Sequence, residues 1–136
     1  MNAVDTNILV YSHDPRDPAK QGVASSLIGS LADGVLLWQV VCEFLASSRK
    51  LEPFGYDREQ AWRDLRDLRR AWATAYPDWA ILDRAENLMD RRSISFWDAL
   101  ILAACLESGV TCLYSEDLDS HDGLDGLEIV NPFRSP

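Results

Sequence analysis

Four carboxylates far apart in the chain carry the clearest chemical signal: Asp5 in VDTNILVY, Glu43 in QVVCEFL, Asp98 in SFWDALILAAC and Asp117 in YSEDL. Each lies in or beside an apolar run. There an ionised carboxylate is costly unless something compensates it. One shared hard cation held through oxygen, such as Mg²⁺, would compensate all four. The chemistry such a site suits is metal-assisted hydrolysis of a phosphodiester.

Each carboxylate also has a plain structural reading. Asp5 can cap a short helix starting at Thr6. Ser95 to Asp98 fits the S-x-x-D/E form of a capping box, and one Asp98 oxygen can serve the cap while the other faces a metal. Glu43 sits among Val40, Val41, Cys42, Phe44 and Leu45, which suggests a largely buried helix. Asp117 stands among Glu116, Asp119, Asp122 and Asp125, most of which read as turn residues or solvated charge. Nearness to a strand end favours Asp117 as the one that faces the site.

The elements that must position these groups alternate between strand and helix. Strands are expected at Asn2 to Asp5, Val35 to Trp38, Cys112 to Ser115 and Leu127 to Val130, with a poor one at Thr74 to Tyr76. Helices are expected at Lys20 to Asp33 (closed by Gly34), Gln39 to Lys50, Asp57 to Trp72, Asp78 to Arg91 and Ser95 to Ser108 (stopped by Gly109). Alternation of this kind implies right-handed crossovers and a mainly parallel sheet covered on both faces. Active crevices in such sheets lie beyond the carboxyl ends of the strands. Asp5, Asp98 and Asp117 can therefore converge, and Glu43 joins them if its helix starts at the same edge.

Residues 1–136 read as a single domain with no repeat or linker, 47% apolar and 26% charged. No apolar stretch reaches membrane-spanning length. The start MNAVDTNILVY has no basic leader, so a cytoplasmic protein is expected. Cys42, Cys105 and Cys112 lack metal-ligand spacing and read as buried reduced thiols. A net charge of −9 argues against a general nucleic-acid coat protein, and leaves any RNA path to rest on a local basic patch. Arg91 and Arg92, just before the Asp98 helix, are the favoured phosphate contacts. Arg63, Arg66 and Arg70 read rather as a solvated helix face partnered by Asp64 and Asp67. No P-loop or G-x-G is present, and neither His13 nor His121 has a partner at useful spacing.

These segments, in this order and spacing, resemble a PIN-domain protein, specifically a VapC-type toxin of a toxin–antitoxin pair. The resemblance runs from VDTNILVY through WQVVCEFLASSRKL, SFWDALILAACLESG and LYSEDL to LEIVNPF. It implies a three-layer α/β/α fold with a short, mainly parallel central sheet. It also implies Mg²⁺- or Mn²⁺-dependent endoribonuclease activity, homodimerisation, and inhibition by a VapB-type antitoxin. On that pattern Asp5 and Asp98 bind the first metal, Asp117 completes its shell or helps a second, and Glu43 holds a water or the second ion. Thr6 and Ser115 support the site. The antitoxin would lay an apolar face on the early helices, near Leu27, Leu31 and Phe44, and set an Arg against the acidic crevice. Two rivals differ in class. An aspartate-based phosphohydrolase of the dehalogenase type would want Asp where Asn7 stands, and a receiver domain would want a late Lys, whereas Lys20 and Lys50 come early. A non-catalytic PIN-fold binding module would have no obvious use for an intact acidic quartet.

Overall fold

The computed structural model describes residues 1–134. Five short parallel strands form one sheet in the order β3-β2-β1-β4-β5. They are β1 (Asn2–Val4), β2 (Gly34–Leu37), β3 (Ala73–Ala75), β4 (Cys112–Tyr114) and β5 (Glu128–Val130). The helices are α1 (Thr6–Tyr11), α2 (Pro18–Ser30), α3 (Trp38–Ser47), α4 (Arg58–Ala71), α5 (Trp79–Arg91) and α6 (Phe96–Glu107). A 3₁₀ segment, Ser48–Phe54, links α3 to α4. Helices α1 to α4 pack as one group and α5 with α6 as another, giving the three-layer α/β/α arrangement.

Strand β1 is central. Ala3 pairs with Val35 on one side and Leu113 on the other. The chain leaves β1 for β2 and later returns to lay β4 on β1's opposite side. Strand order therefore reverses at β1, where a crevice opens beyond the carboxyl ends. The strands are nearly continuous apolar runs because both faces are covered: Ala3, Val4, Val35, Leu36, Leu37 and Leu113 are all buried. Helix α6 is apolar around most of its circumference, burying Ala99, Ile101, Leu102, Ala103 and Cys105. Full burial of Leu102 alone contributes about 2 kcal/mol.

Local signals set the helix starts. Asp57 accepts from the Gln60 backbone N–H and Gln60 reaches back to Asp57 N–H, a complete capping box on α4. Asp78 caps α5 and Ser95 caps α6. Only the Ser95 half of the expected box forms, through Asp98 N–H to Ser95 Oγ at 3.2 Å. Pro18 opens α2 behind Asp17.

Two expectations need correcting. Gly34 does not close a helix; α2 ends at Ser30, and Gly34 begins β2. Its missing side chain serves packing, since a Cβ there would lie 2.2 Å from the Trp72 ring. Cys42 is exposed, whereas Cys105 and Cys112 are buried. Val40 and Phe44 fill the inward face of α3, and Cys42, two residues from each, falls on the outer one. The poor strand near Thr74 is a true edge strand: Ala73, Thr74 and Ala75 pair in register with Val35, Leu36 and Leu37.

Candidate active site

Asp5 follows β1 and caps α1, with Oδ1 accepting from Thr6 N–H at 2.8 Å. Its other oxygen, Oδ2, accepts from Ser115 Oγ at 2.8 Å. Ser115 follows β4 and is fully buried. The same Oγ accepts from the backbone N–H groups of Asp117 and Leu118. One hydroxyl thus ties the first carboxylate of the site to the loop that carries the last. Capping and site-facing roles coexist in Asp5.

Glu43 lies one turn into α3. Its Oε2 accepts from Thr6 Oγ1 at 3.0 Å and its Oε1 from Gln39 Nε2 at 2.6 Å. Gln39 also donates to the Trp97 carbonyl at the head of α6, 3.3 Å away. That amide orientation serves both acceptors and leaves Gln39 Oε1 buried without a partner. Asp117 accepts from Asn7 Nδ2 at 3.1 Å. Asp98, half-buried in the first turn of α6, has no hydrogen bond to its carboxylate among the described residues.

Asp5, Thr6, Glu43, Asp98 and Asp117 line one crevice of about 590 Å³. Ser115 lies beneath it. Arg91 and Arg92 do not line it. Arg91 instead grips Asp125 bidentately, at 3.1 and 2.7 Å, and reaches Asn87. The cations on the crevice wall are Arg16 and Lys50. Arg16 is occupied by Asp14.

Electrostatics separate the quartet from its acidic neighbours. Glu116 also borders the crevice but pairs with Lys20. Asp119 pairs with Arg134, Asp125 with Arg84 and Arg91, and Asp122 accepts from Ile129 N–H. None of Asp5, Glu43, Asp98 and Asp117 has an ion-pair partner among the described residues. Burial pushes the Asp5 carboxyl above its usual range. Hydrogen bonds from Ser115 and Thr6 pull it back, and the nearby charges of Glu43 and Asp117 push it up again.

The donor set is all oxygen and unneutralised, which suits Mg²⁺ or Mn²⁺ rather than a softer metal. As they are held, however, no three Asp, Glu, His or Cys side chains among the described residues stand close enough to grip one ion. Hydroxyl and amide donors occupy Asp5, Glu43 and Asp117 instead. Asn7 and Gln39 were missed in the sequence. Asn7 lies within the quoted VDTNILVY segment, but its contact is 110 residues away, and no local pattern reports it.

A PIN domain family model matches residues 3–126. The chain belongs to the PIN domain family. Three solved structures are similar over almost their whole length, at identities that speak for the fold alone. A toxin–antitoxin complex from Klebsiella pneumoniae matches with a TM-score of 0.70 at 18% identity, covering 99% of this chain and 100% of that one. VapBC2 from Rickettsia felis, bound to a DNA fragment from its promoter, gives 0.67 at 15%, covering 96% and 97%. VapC20 from Mycobacterium tuberculosis, described as a toxin that cleaves the sarcin–ricin loop, gives 0.66 at 18%, covering 88% and 94%. Comparison with curated proteins gives no match. Among the described residues no helix is long and apolar enough to cross a membrane.

Proposed function

We propose that the protein is a Mg²⁺- or Mn²⁺-dependent endoribonuclease, the toxin of a toxin–antitoxin pair. The observation that carries this reading is the convergence of four carboxylates, from four separate segments, on one crevice with no cationic side chain paired to any of them. Asp5 and Asp98, which line the same crevice, would hold a divalent cation. Asp117, oriented by Asn7, would complete the oxygen set. When bound, the cation supplies acidification of water and relief of charge on the attacked phosphate. Glu43, fixed by Thr6 and Gln39, would hold a water or a second ion.

The test is cleavage of RNA by the wild type and by Asp98→Asn, with Mn²⁺ and with chelator. Asp98 contributes to the α6 cap through its backbone N–H, which the substitution leaves in place. We expect the variant to fold normally and to lose Mn²⁺-dependent cleavage. Full activity would remove Asp98 from the site. The competing reading is a non-catalytic binding module, which the lack of a ready three-carboxylate cage would suit. It predicts a wild type that cleaves nothing with either metal.

The similar toxin–antitoxin complexes support a protein partner. An apolar groove lined by Ile28, Leu31 and Leu68, with Asp64 and Asp67 at its rim, runs between α2 and α4. It suits a partner helix with an apolar face and basic flanks. Phe44 is buried in the core, and neither it nor Leu27 lines the groove. An Arg on that partner would pair with the crevice carboxylates. Excess Mn²⁺ should then weaken partner binding, and independent binding would place the inhibitor elsewhere. Homodimerisation, a further implication of the family likeness, is checked by sedimentation.

A further inference from the structure

An acidic crevice in a chain of charge −9 repels the polyanion it would have to cut. The cations available to offset that repulsion are unevenly distributed. Arg16, Lys20, Arg70, Arg84, Arg91 and Arg134 are committed to carboxylates. Arg49, Lys50, Arg58, Arg63, Arg66 and Arg69 have no such partner among the described residues, and neither has Arg92. Six of these seven uncommitted cations fall within one stretch, from the 3₁₀ segment into α4.

From Arg49 to Arg70 seven cations stand against five acids, Glu52, Asp57, Glu59, Asp64 and Asp67, and Glu59 shares a groove with Arg58, Arg63 and Arg66 without an ion pair to any of them among the described residues. Asp64, half-buried, accepts from Tyr56 Oη at 2.7 Å and lies 3.6 Å from His13 Nε2. Asp67 takes Arg70. The expected solvated face of matched charges is therefore only partly realised, and Arg63 and Arg66 stay open.

The open cations connect to the crevice along the chain, through Arg49 and Lys50. Ser47 and Lys50 line the crevice. Arg49 and Ser48, in the same turn, border a small cleft with Arg58 and Trp62. Arg58 and Trp62 in turn border a broader groove with Arg63 and Arg66. Trp62 is 40% exposed, a large aromatic left in solvent. The Arg66 guanidinium lies 5.8 Å from its ring centroid. Guanidinium groups beside an exposed indole offer both phosphate contacts and a surface for an unstacked base.

We propose that Arg58, Trp62, Arg63 and Arg66, continued through Arg49 and Lys50, form a track that holds the backbone of single-stranded RNA leaving the acidic crevice. The track rests on the ribonuclease reading for its ligand but works without cleavage. It anchors the strand away from the cut, so that the crevice need not attract phosphate by itself.

The experiment is fluorescence anisotropy of a labelled 12-nucleotide single-stranded RNA of mixed sequence, in chelator, across a salt series. The protein is wild type, or Arg58→Gln/Arg63→Gln/Arg66→Gln, or Trp62→Ala. A charge-matched control, Arg84→Gln/Arg91→Gln/Arg92→Gln, removes three cations from α5 and its end. Three lost phosphate contacts on a single strand should make the salt slope of log K shallower by about 2. The binding deficit of the track variant should then narrow roughly 20-fold between 50 and 200 mM salt. The control should keep the wild-type slope, and Trp62→Ala should weaken binding with the slope unchanged. Wild-type binding by the track variant, equal losses in track and control, or no salt-dependent binding by the wild type would each overturn the proposal. So would intact RNA binding with lost self-association, which would assign the patch to a second copy of the chain. Binding without any Mn²⁺-dependent cleavage would refute the nuclease reading and leave the track standing.

Discussion

Ser115→Ala tests how the site is held together. The wild-type Oγ donates to a buried carboxylate and accepts from two backbone N–H groups, those of Asp117 and Leu118. A hydrogen bond to a charged group contributes about 1.5–3 kcal/mol, and a stranded buried N–H costs a further 1 kcal/mol or more. The two N–H contacts are long, at 3.2 and 3.3 Å, so we take the lower end for them. The expected loss is about 3 kcal/mol at pH 7, roughly 10 °C in Tm for a domain of this size. The loss should depend on pH. In the folded protein the Asp5 carboxyl already sits above its usual range, so its contribution to stability is complete below the unfolded value of 3.8 and is lost as pH rises through the folded value. Removing Ser115 removes a contact that lowers that folded value, so the variant's should rise further. The deficit of Ser115→Ala should therefore be largest at neutral pH and shrink on acidification. Urea denaturation in chelator from pH 4 to 8 gives the curve. A variant within 0.5 kcal/mol of wild type at all pH values would refute the bridging role of this hydroxyl.

Three further outcomes follow from the geometry. Mn²⁺ should raise the Tm of the wild type, by an amount equivalent to about 2.7 kcal/mol at a hundredfold excess over Kd; differential scanning fluorimetry should show a smaller gain for Asp5→Asn, and equal gains would indicate non-specific ions. Gly34→Ala should cost about 2–3 kcal/mol by chemical denaturation, because its Cβ would meet the rigid, buried Trp72 ring at 2.2 Å; Gly22→Ala, whose Cβ meets nothing within 4 Å, should not destabilise. Gln39→Ala should lower cleavage more than stability, since it frees Glu43 from its 2.6 Å contact without touching the core, and kcat and Tm measured together will separate the two.

The sequence revealed positions better than orientations. The quartet was legible because a carboxylate inside an apolar run has few physical excuses, and the alternation of elements put strand ends and helix starts at one edge. Asp117 could be chosen from its acidic loop only by nearness to the strand. Its neighbours' partners, Lys20, Arg84, Arg91 and Arg134, come from across the fold. The same limit misplaced Arg91: its nearness in sequence to Asp98 says nothing of Asp125, which claims its guanidinium. Gly34 read as a helix stop because Trp72 lies 38 residues away. Cys42 read as buried because an apolar neighbourhood hides which side of a helix a residue faces. In the Ala-Thr-Ala of β3 only Thr74 favours a strand, and its pairing with β2 makes it one.

The reversal of strand order at β1 has a consequence for timing. Asp5 is made 110 residues before its hydrogen-bond partner Ser115, and nearly as long before its backbone acceptor, the Tyr114 carbonyl. The sheet grows outward from β1 on one side first. The other side stays open until β4 is made, and Ser115 N–H then bonds the Val130 carbonyl of β5. A nascent chain carrying Asp5, Glu43 and Asp98 therefore still lacks its crevice. If the protein cuts RNA, the stretch of messenger from Asp5 to Ser115 is translated before the cutting edge exists.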